Sequence, residues 1–140
     1  MNVMADMFSP EKRSALMARI HSADTSPELS LRRLIHGLGY RFRVHRTDLP
    51  GKPDIVMAKH RLIIFMHGCF WHGHKCLEGR RPGSNTAYWN RKLDRNMSRD
   101  KENLTALRRL GWRCSIVWEC QLRKPALLRQ RLLRLLEVAA

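Results

Sequence analysis

The 140 residues, 44% of them hydrophobic, suffice for one packed core and exclude two ordinary ones, so a single domain spanning 1–140 is expected. Lys and Arg number 27 against 12 Asp and Glu, a formal charge of +15. That excess favours a polyanion, nucleic acid first, because each neutralised phosphate releases condensed counterions; the longest apolar run in the middle, Leu62 to Met66, falls far short of the roughly 20 residues of a membrane helix.

Met1 to Pro10 holds no basic segment followed by an apolar stretch, so no secretory leader is expected and the cytoplasm is the expected compartment. Ser9-Pro10-Glu11 reads as a helix start, and Leu16, Met17 and Ile20 recur at helical spacing, predicting a short basic N-terminal helix. The same start signal returns at Ser26-Pro27-Glu28, where Leu31, Leu34, Ile35 and Leu38 form an apolar stripe closed by Gly39. Tyr40, Phe42 and Val44 alternate with Arg41, Arg43 and His45, the period of a half-buried strand. A turn at Leu49-Pro50-Gly51-Lys52-Pro53 precedes two short strands, Asp54 to Met57 and Arg61 to Met66, the second apolar almost throughout as a central strand is.

Gly68 to Ser84 is rich in Gly, Pro, Cys and His without an apolar period, which predicts a loop that needs something to hold it. From about Thr86 to Leu110, Trp89, Leu93, Met97, Leu104 and Leu107 mark a long helix closed by Gly111. Trp112 to Trp118 is a further strand, and Leu128, Leu132, Leu135 and Leu136 give a last helix its apolar side. The expected architecture is αβββαβα, an α/β fold with a mixed sheet covered by helices.

The densest chemistry is His67-Gly68-Cys69-Phe70-Trp71-His72-Gly73-His74-Lys75-Cys76, three histidines and two cysteines within ten residues. Thiolates and imidazoles at this density suit zinc, and Cys120, just past a strand, can return from afar as a fourth ligand. Cys69, His74, Cys76 and Cys120 form the expected set; buried free thiols are the alternative, and Cys114 reads as a small apolar residue. Pro53-Asp54 after a tight turn matches the first half of the PD-(D/E)xK nuclease signature, in which a carboxylate holds a hard divalent cation against the scissile phosphate. The second half is absent, since Met66 and Gly68 stand where Glu and Lys belong. Met66 can still offer a backbone carbonyl to a metal, and His67 or His72 can take a proton from water; the plainer alternative makes both histidines zinc ligands or loop structure. Glu28 suits a helix first turn without any catalytic duty. Phe70, Trp71 and Trp89 can wedge into an imperfectly paired base step, or can simply pack beneath the loop. Residues 79–109 hold nine basic and three acidic side chains, enough for a phosphate track.

Taken in order, Arg13-Ser14, Met17, Ile20, Asp24-Thr25, Glu28, Leu49-Pro50-Gly51-Lys52-Pro53-Asp54, the His67 to His72 run, Leu110-Gly111-Trp112-Arg113 and Val117-Trp118-Glu119-Cys120 resemble the very short patch repair endonucleases, which nick DNA at mismatches. The resemblance runs from about Lys12 to Leu122. It implies a restriction-endonuclease-like core with a zinc-stabilised loop, residues 23–140, behind a basic DNA-contacting segment, 1–22. It implies Mg2+ at Asp54 and the Met66 carbonyl, proton transfer at His72, His67 against the phosphate, Glu28 in support, and structural Zn2+ at Cys69, His74, Cys76 and Cys120. Phe70, Trp71 and Trp89 fall on the wedge beside the mismatch, and Met17, Lys92 and Asn96 on DNA contacts. Some family members carry a hydroxyl residue at the Met66 position, so only a carbonyl role transfers. The implied substrate is duplex DNA with a T:G mismatch left by 5-methylcytosine deamination, nicked 5′ of the thymine. A companion cytosine methyltransferase and mismatch-repair proteins are candidate partners, and a monomer suits so asymmetric a target. Two rival expectations remain: a zinc-stabilised mismatch-binding module that does not cut, and a restriction-type nuclease acting on paired DNA.

Overall fold

The computed structural model describes residues 25–76 and 79–138. The expected N-terminal helix, with Met17 and the rest of segment 1–22, lies outside them. Helix α1 spans Ser26–Gly37, strand β1 Ile55–Met57, β2 Leu62–His67, helix α2 Thr86–Arg109, strand β3 Arg113–Trp118 and helix α3 Pro125–Val138, with short 3₁₀ turns at Ala58–His60 and Glu119–Arg123. The sheet order is β1-β2-β3; β1 pairs antiparallel with β2, and β2 parallel with β3. Parallel neighbours need a crossover, which α2 supplies. No described helix is long and apolar enough to cross a membrane.

Helix α1 starts where its sequence signal says. The Thr25 hydroxyl accepts the Glu28 N–H at 3.4 Å, and Pro27 sits in the first turn, where its missing N–H costs nothing. Its Leu31 and Ile35 join Leu128, Leu132 and Leu136 of α3 over Ile55, Met57, Leu62, Ile64, Met66 and Val117. On the opposite face Leu107 of α2 and Trp112 cover Val56, Ile63 and Phe65. Alternate residues of β2 thus feed two cores, so the whole strand is buried and its sequence is apolar without alternation.

Two expectations change. The predicted strand over Tyr40 to Val44 reduces to one bridge, in which Arg43 and Val56 exchange two N–H···O bonds of 2.9 Å. His45 takes a left-handed φ of +58°, which turns the chain off the sheet, so the described order is αββαβα. Tyr40 and Phe42 keep the apolar half of their pattern by packing on the α1 core. In α2, Leu93 and Leu107 are fully buried, but Met97 is 41% exposed. Met97 covers Gly73, whose φ is +66° and where an added Cβ would lie 2.4 Å from the Met97 sulfur.

Candidate active site and metal centre

The turn before β1 positions Asp54. Lys52 N–H bonds back to the Leu49 carbonyl at 3.2 Å, and Gly51 passes so close to α2 that a Cβ would lie 3.0 Å from Asn103. The chain then enters β1 with Asp54 facing the end of β2, and its Oδ2 accepts the Met66 N–H at 2.6 Å. Burial lifts the Asp54 carboxyl to about 6, and the nearby Glu28 carboxylate pushes the same way; the Met66 N–H, Arg32 and His72 oppose them. Glu28 is only 8% exposed, and Arg32 pairs with it at 3.3 Å.

His67, the last residue of β2, is buried, and its ring stacks on His72 at a centroid distance of 3.7 Å and an angle of 7°. His72 Nδ1 lies 2.5 Å from Asp100 Oδ2 on α2. In the tautomer with Nδ1–H donating to that carboxylate, Nε2 is the ring nitrogen that carries the lone pair. Glu28, Asp54, Met66, His67, His72 and Asp100 all line one cavity of about 240 Å³. A second cavity of about 260 Å³ shares Glu28, Lys52 and Asp54 with the first and is lined as well by Arg32, His45 and Arg46.

Asp100 is absent from the sequence reading. Nothing marks it among the charges of a basic helix; the signal that could have found it is the need of a basic imidazole for an orienting carboxylate.

Cys69, His74, Cys76 and Cys120 converge, their ligand atoms all within 4.8 Å of one another. The loop builds this locally, with the His74 N–H on the Cys69 carbonyl at 3.0 Å and the Gly79 N–H on that of Cys76 at 3.1 Å. Cys120 arrives on the 3₁₀ turn after β3, its sulfur 3.6 Å from His74 Nδ1. Sulfurs at roughly 2.3 Å from a tetrahedral zinc are about 3.8 Å apart, so this cluster fits the ion. Burial pushes the Cys69 thiol up to about 12. A divalent cation supplies the charge that makes such a thiol a thiolate. Cys114 stands apart on β3, packed against the α2 core with its thiol also raised by burial.

Phe70, Trp71 and Trp89 form one half-exposed cluster, with centroids 5.2 to 6.0 Å apart, and Tyr88 joins Trp89 at 5.2 Å as a fourth aromatic. Lys92 lies 5.5 Å over the Trp71 ring, and Asn96 donates to the Trp71 carbonyl at 3.1 Å. Trp71, Lys92 and Asn96 line a groove of about 600 Å³ with Arg91, Arg95 and Arg99, spaced one helical turn apart. The arrangement offers stacking faces and phosphate donors next to the acidic cavity.

A family model described as DNA mismatch endonuclease Vsr matches residues 5–78. The type II nicking enzyme V.XorIIP of Xanthomonas oryzae pv. oryzae is 48% identical over 134 residues, covering 96% of this chain and 98% of its own. The DNA mismatch endonuclease Vsr of Escherichia coli K12 is 44% identical over 120 residues, 86% of this chain and 77% of that protein. Among solved structures, the catalytic domain of the homing endonuclease I-Bth0305I shares the fold, with a TM-score of 0.59 at 15% identity over 83% of this chain and 98% of its own. With its matched motifs and a nuclease-like fold around one acidic, histidine-bearing cavity, the chain belongs to the Vsr family of DNA mismatch endonucleases.

Proposed function

We propose that the chain nicks the thymine strand 5′ of the mispaired base at T:G mismatches, leaving a 3′ hydroxyl and a 5′ phosphate. The observation that carries this reading is one cavity holding both the buried Asp54 carboxyl and the His72–Asp100 pair, next to a half-exposed aromatic cluster. The names of its relatives, mismatch endonuclease and nicking enzyme, agree with it.

Asp54 and the Met66 carbonyl would hold Mg2+. Two carboxyls crowded enough for Glu28 to raise Asp54 are oxygen donors that suit a hard cation. When bound, that ion draws charge from the scissile phosphate and acidifies water. His72 takes the proton of the attacking water at Nε2 as the water oxygen bonds to phosphorus, Asp100 stabilises the imidazolium that forms, and the P–O3′ bond breaks with the leaving 3′ oxygen taking a proton from solvent. His67 braces the His72 ring from behind and lies against the phosphate. Lys52 supplies beside Asp54 the positive charge that the PD-(D/E)xK signature places after the next strand, and Glu28 supports the site. Phe70, Trp71 and Trp89 open the mismatched step, where unstacking is cheapest; Lys92 and Asn96 hold the adjacent strand. Zn2+ at Cys69, His74, Cys76 and Cys120 holds the loop that carries this wedge. A monomer beside a cytosine methyltransferase in the cytoplasm, handing its nick to repair enzymes, fits the asymmetry of the lesion.

The test compares wild type with Asp54→Ala on strand-labelled T:G duplexes, with Mg2+ and with chelator. Cutting should vanish with either the substitution or the chelator while T:G binding persists. A variant that cuts like wild type contradicts the assignment of Asp54, and a wild type that binds T:G without cutting leaves the recruitment module as the better reading.

A further inference from the structure

Trp118 ends β3 directly opposite His67 in the parallel register, and its backbone N–H is fixed by Gln121 Oε1 at 2.9 Å. Its indole stacks on His74 at a centroid distance of 4.1 Å and an angle of 12°. It also meets His67 edge to face at 5.3 Å and 74°. His67 in turn lies flat on His72, which reaches Asp100. The rings therefore touch in an unbroken row, His74, Trp118, His67, His72, from the Cys/His cluster to the carboxylate of α2.

We propose that Trp118 is a positioning residue that couples the Cys69, His74, Cys76 and Cys120 centre to the His72 imidazole through this row of rings. It rests on the reading that His72 receives the proton during strand cleavage. Packed rings behave as rigid spacers, so the orientation that a bound metal imposes on His74 passes through the indole to His67 and sets the plane of His72. The centre then does more than close a loop. It fixes the angle at which Nε2 meets water, and a displacement near 1 Å at such a group costs about 100-fold in rate. Leu, Ile or Val at position 118 would keep an apolar side chain there, but a smaller one with no flat face to present to two imidazoles.

The test uses the full chain loaded with zinc, as wild type, Trp118→Leu and Trp118→Phe. Four quantities are compared: bound zinc, thermal midpoint, affinity for a T:G duplex, and single-turnover nicking with Mg2+. The ¹H–¹³C resonance of the His72 ring is followed in the same samples. Trp118→Leu should keep its zinc and its affinity and remain folded at the assay temperature, with a lower thermal midpoint from the smaller side chain, slow nicking by about 10- to 100-fold, and shift the His72 resonance. Trp118→Phe, which keeps an aromatic face, should nick within about threefold of wild type and leave the resonance near its place. The proposal is overturned if Trp118→Leu nicks normally, if its slowing follows loss of zinc or of the folded state, if Phe is as slow as Leu, or if the His72 resonance stays put. Should wild type itself fail to nick T:G, the functional reading fails, and the His72 resonance alone decides whether the coupling exists.

Discussion

Burial lifts the Asp54 carboxyl to about 6 from an ordinary 3.8. Between those two values the folded chain keeps a proton that the unfolded chain has released, so metal-free stability falls as pH rises through this window. At about pH 7 the ionised, buried carboxylate costs roughly 3 kcal/mol. Asp54→Asn should therefore gain up to about that much stability in urea at neutral pH, a gain that shrinks toward zero near pH 4, while nicking is lost. Equal stability of the two proteins at neutral pH would mean that the carboxyl is not strained. Asp100 carries a second prediction. Asp100→Asn should slow single-turnover nicking at least about tenfold, and His72→Ala by roughly 10² to 10⁴, with T:G affinity in chelator unchanged by either. An Asp100→Asn variant of wild-type speed would leave His72 without its orienting partner's role.

At the level of elements, Cys120 is the one member of the Cys69, His74, Cys76 and Cys120 cluster outside the Cys69 to Cys76 loop, so a metal held there would staple the turn after β3 to that loop. Cys120→Ser should release zinc and lower the thermal midpoint, with amide exchange speeding up over residues 68–76; retained zinc at wild-type affinity would exclude Cys120 as a ligand. In α3, Leu132 is fully buried between α1 and the sheet, and Leu132→Ala should cost about 2 to 5 kcal/mol in urea without changing the nicking rate of the folded fraction. Helices α1 and α2 and the central strand were legible because capping residues, apolar period and unbroken apolar runs each have one physical solution here. The predicted strand at Tyr40 to Val44 was not, because alternation records only which side chains meet the core, and the left-handed turn at His45 is a backbone choice that no apolar pattern encodes.

For the whole molecule, a charge of +15 and the Arg91, Arg95, Arg99 row make duplex binding strongly salt-dependent. Arg95→Ala should weaken T:G and T:A duplexes alike and lower the salt slope by about one; a loss confined to T:G would instead make it a mismatch reader. Much of the candidate site could be read in the sequence because Cys, His and Trp crowd into a single short loop, and the long-range partners Asp54 and Cys120 sit at strand ends. Asp100 carries no such mark, and Trp118 stands out only within the Val117 to Cys120 run, since their contacts with the histidines form only when α2 and β3 bring them together. The most direct test of mismatch-selective strand cleavage is single-turnover nicking with Mg2+ of duplexes labelled on either strand, T:G beside an otherwise identical T:A. The expected result is a single cut, 5′ of the mispaired thymine, with the G strand and the paired duplex left intact; cutting of both strands, or equal cutting of T:A, would rule out mismatch-selective nicking.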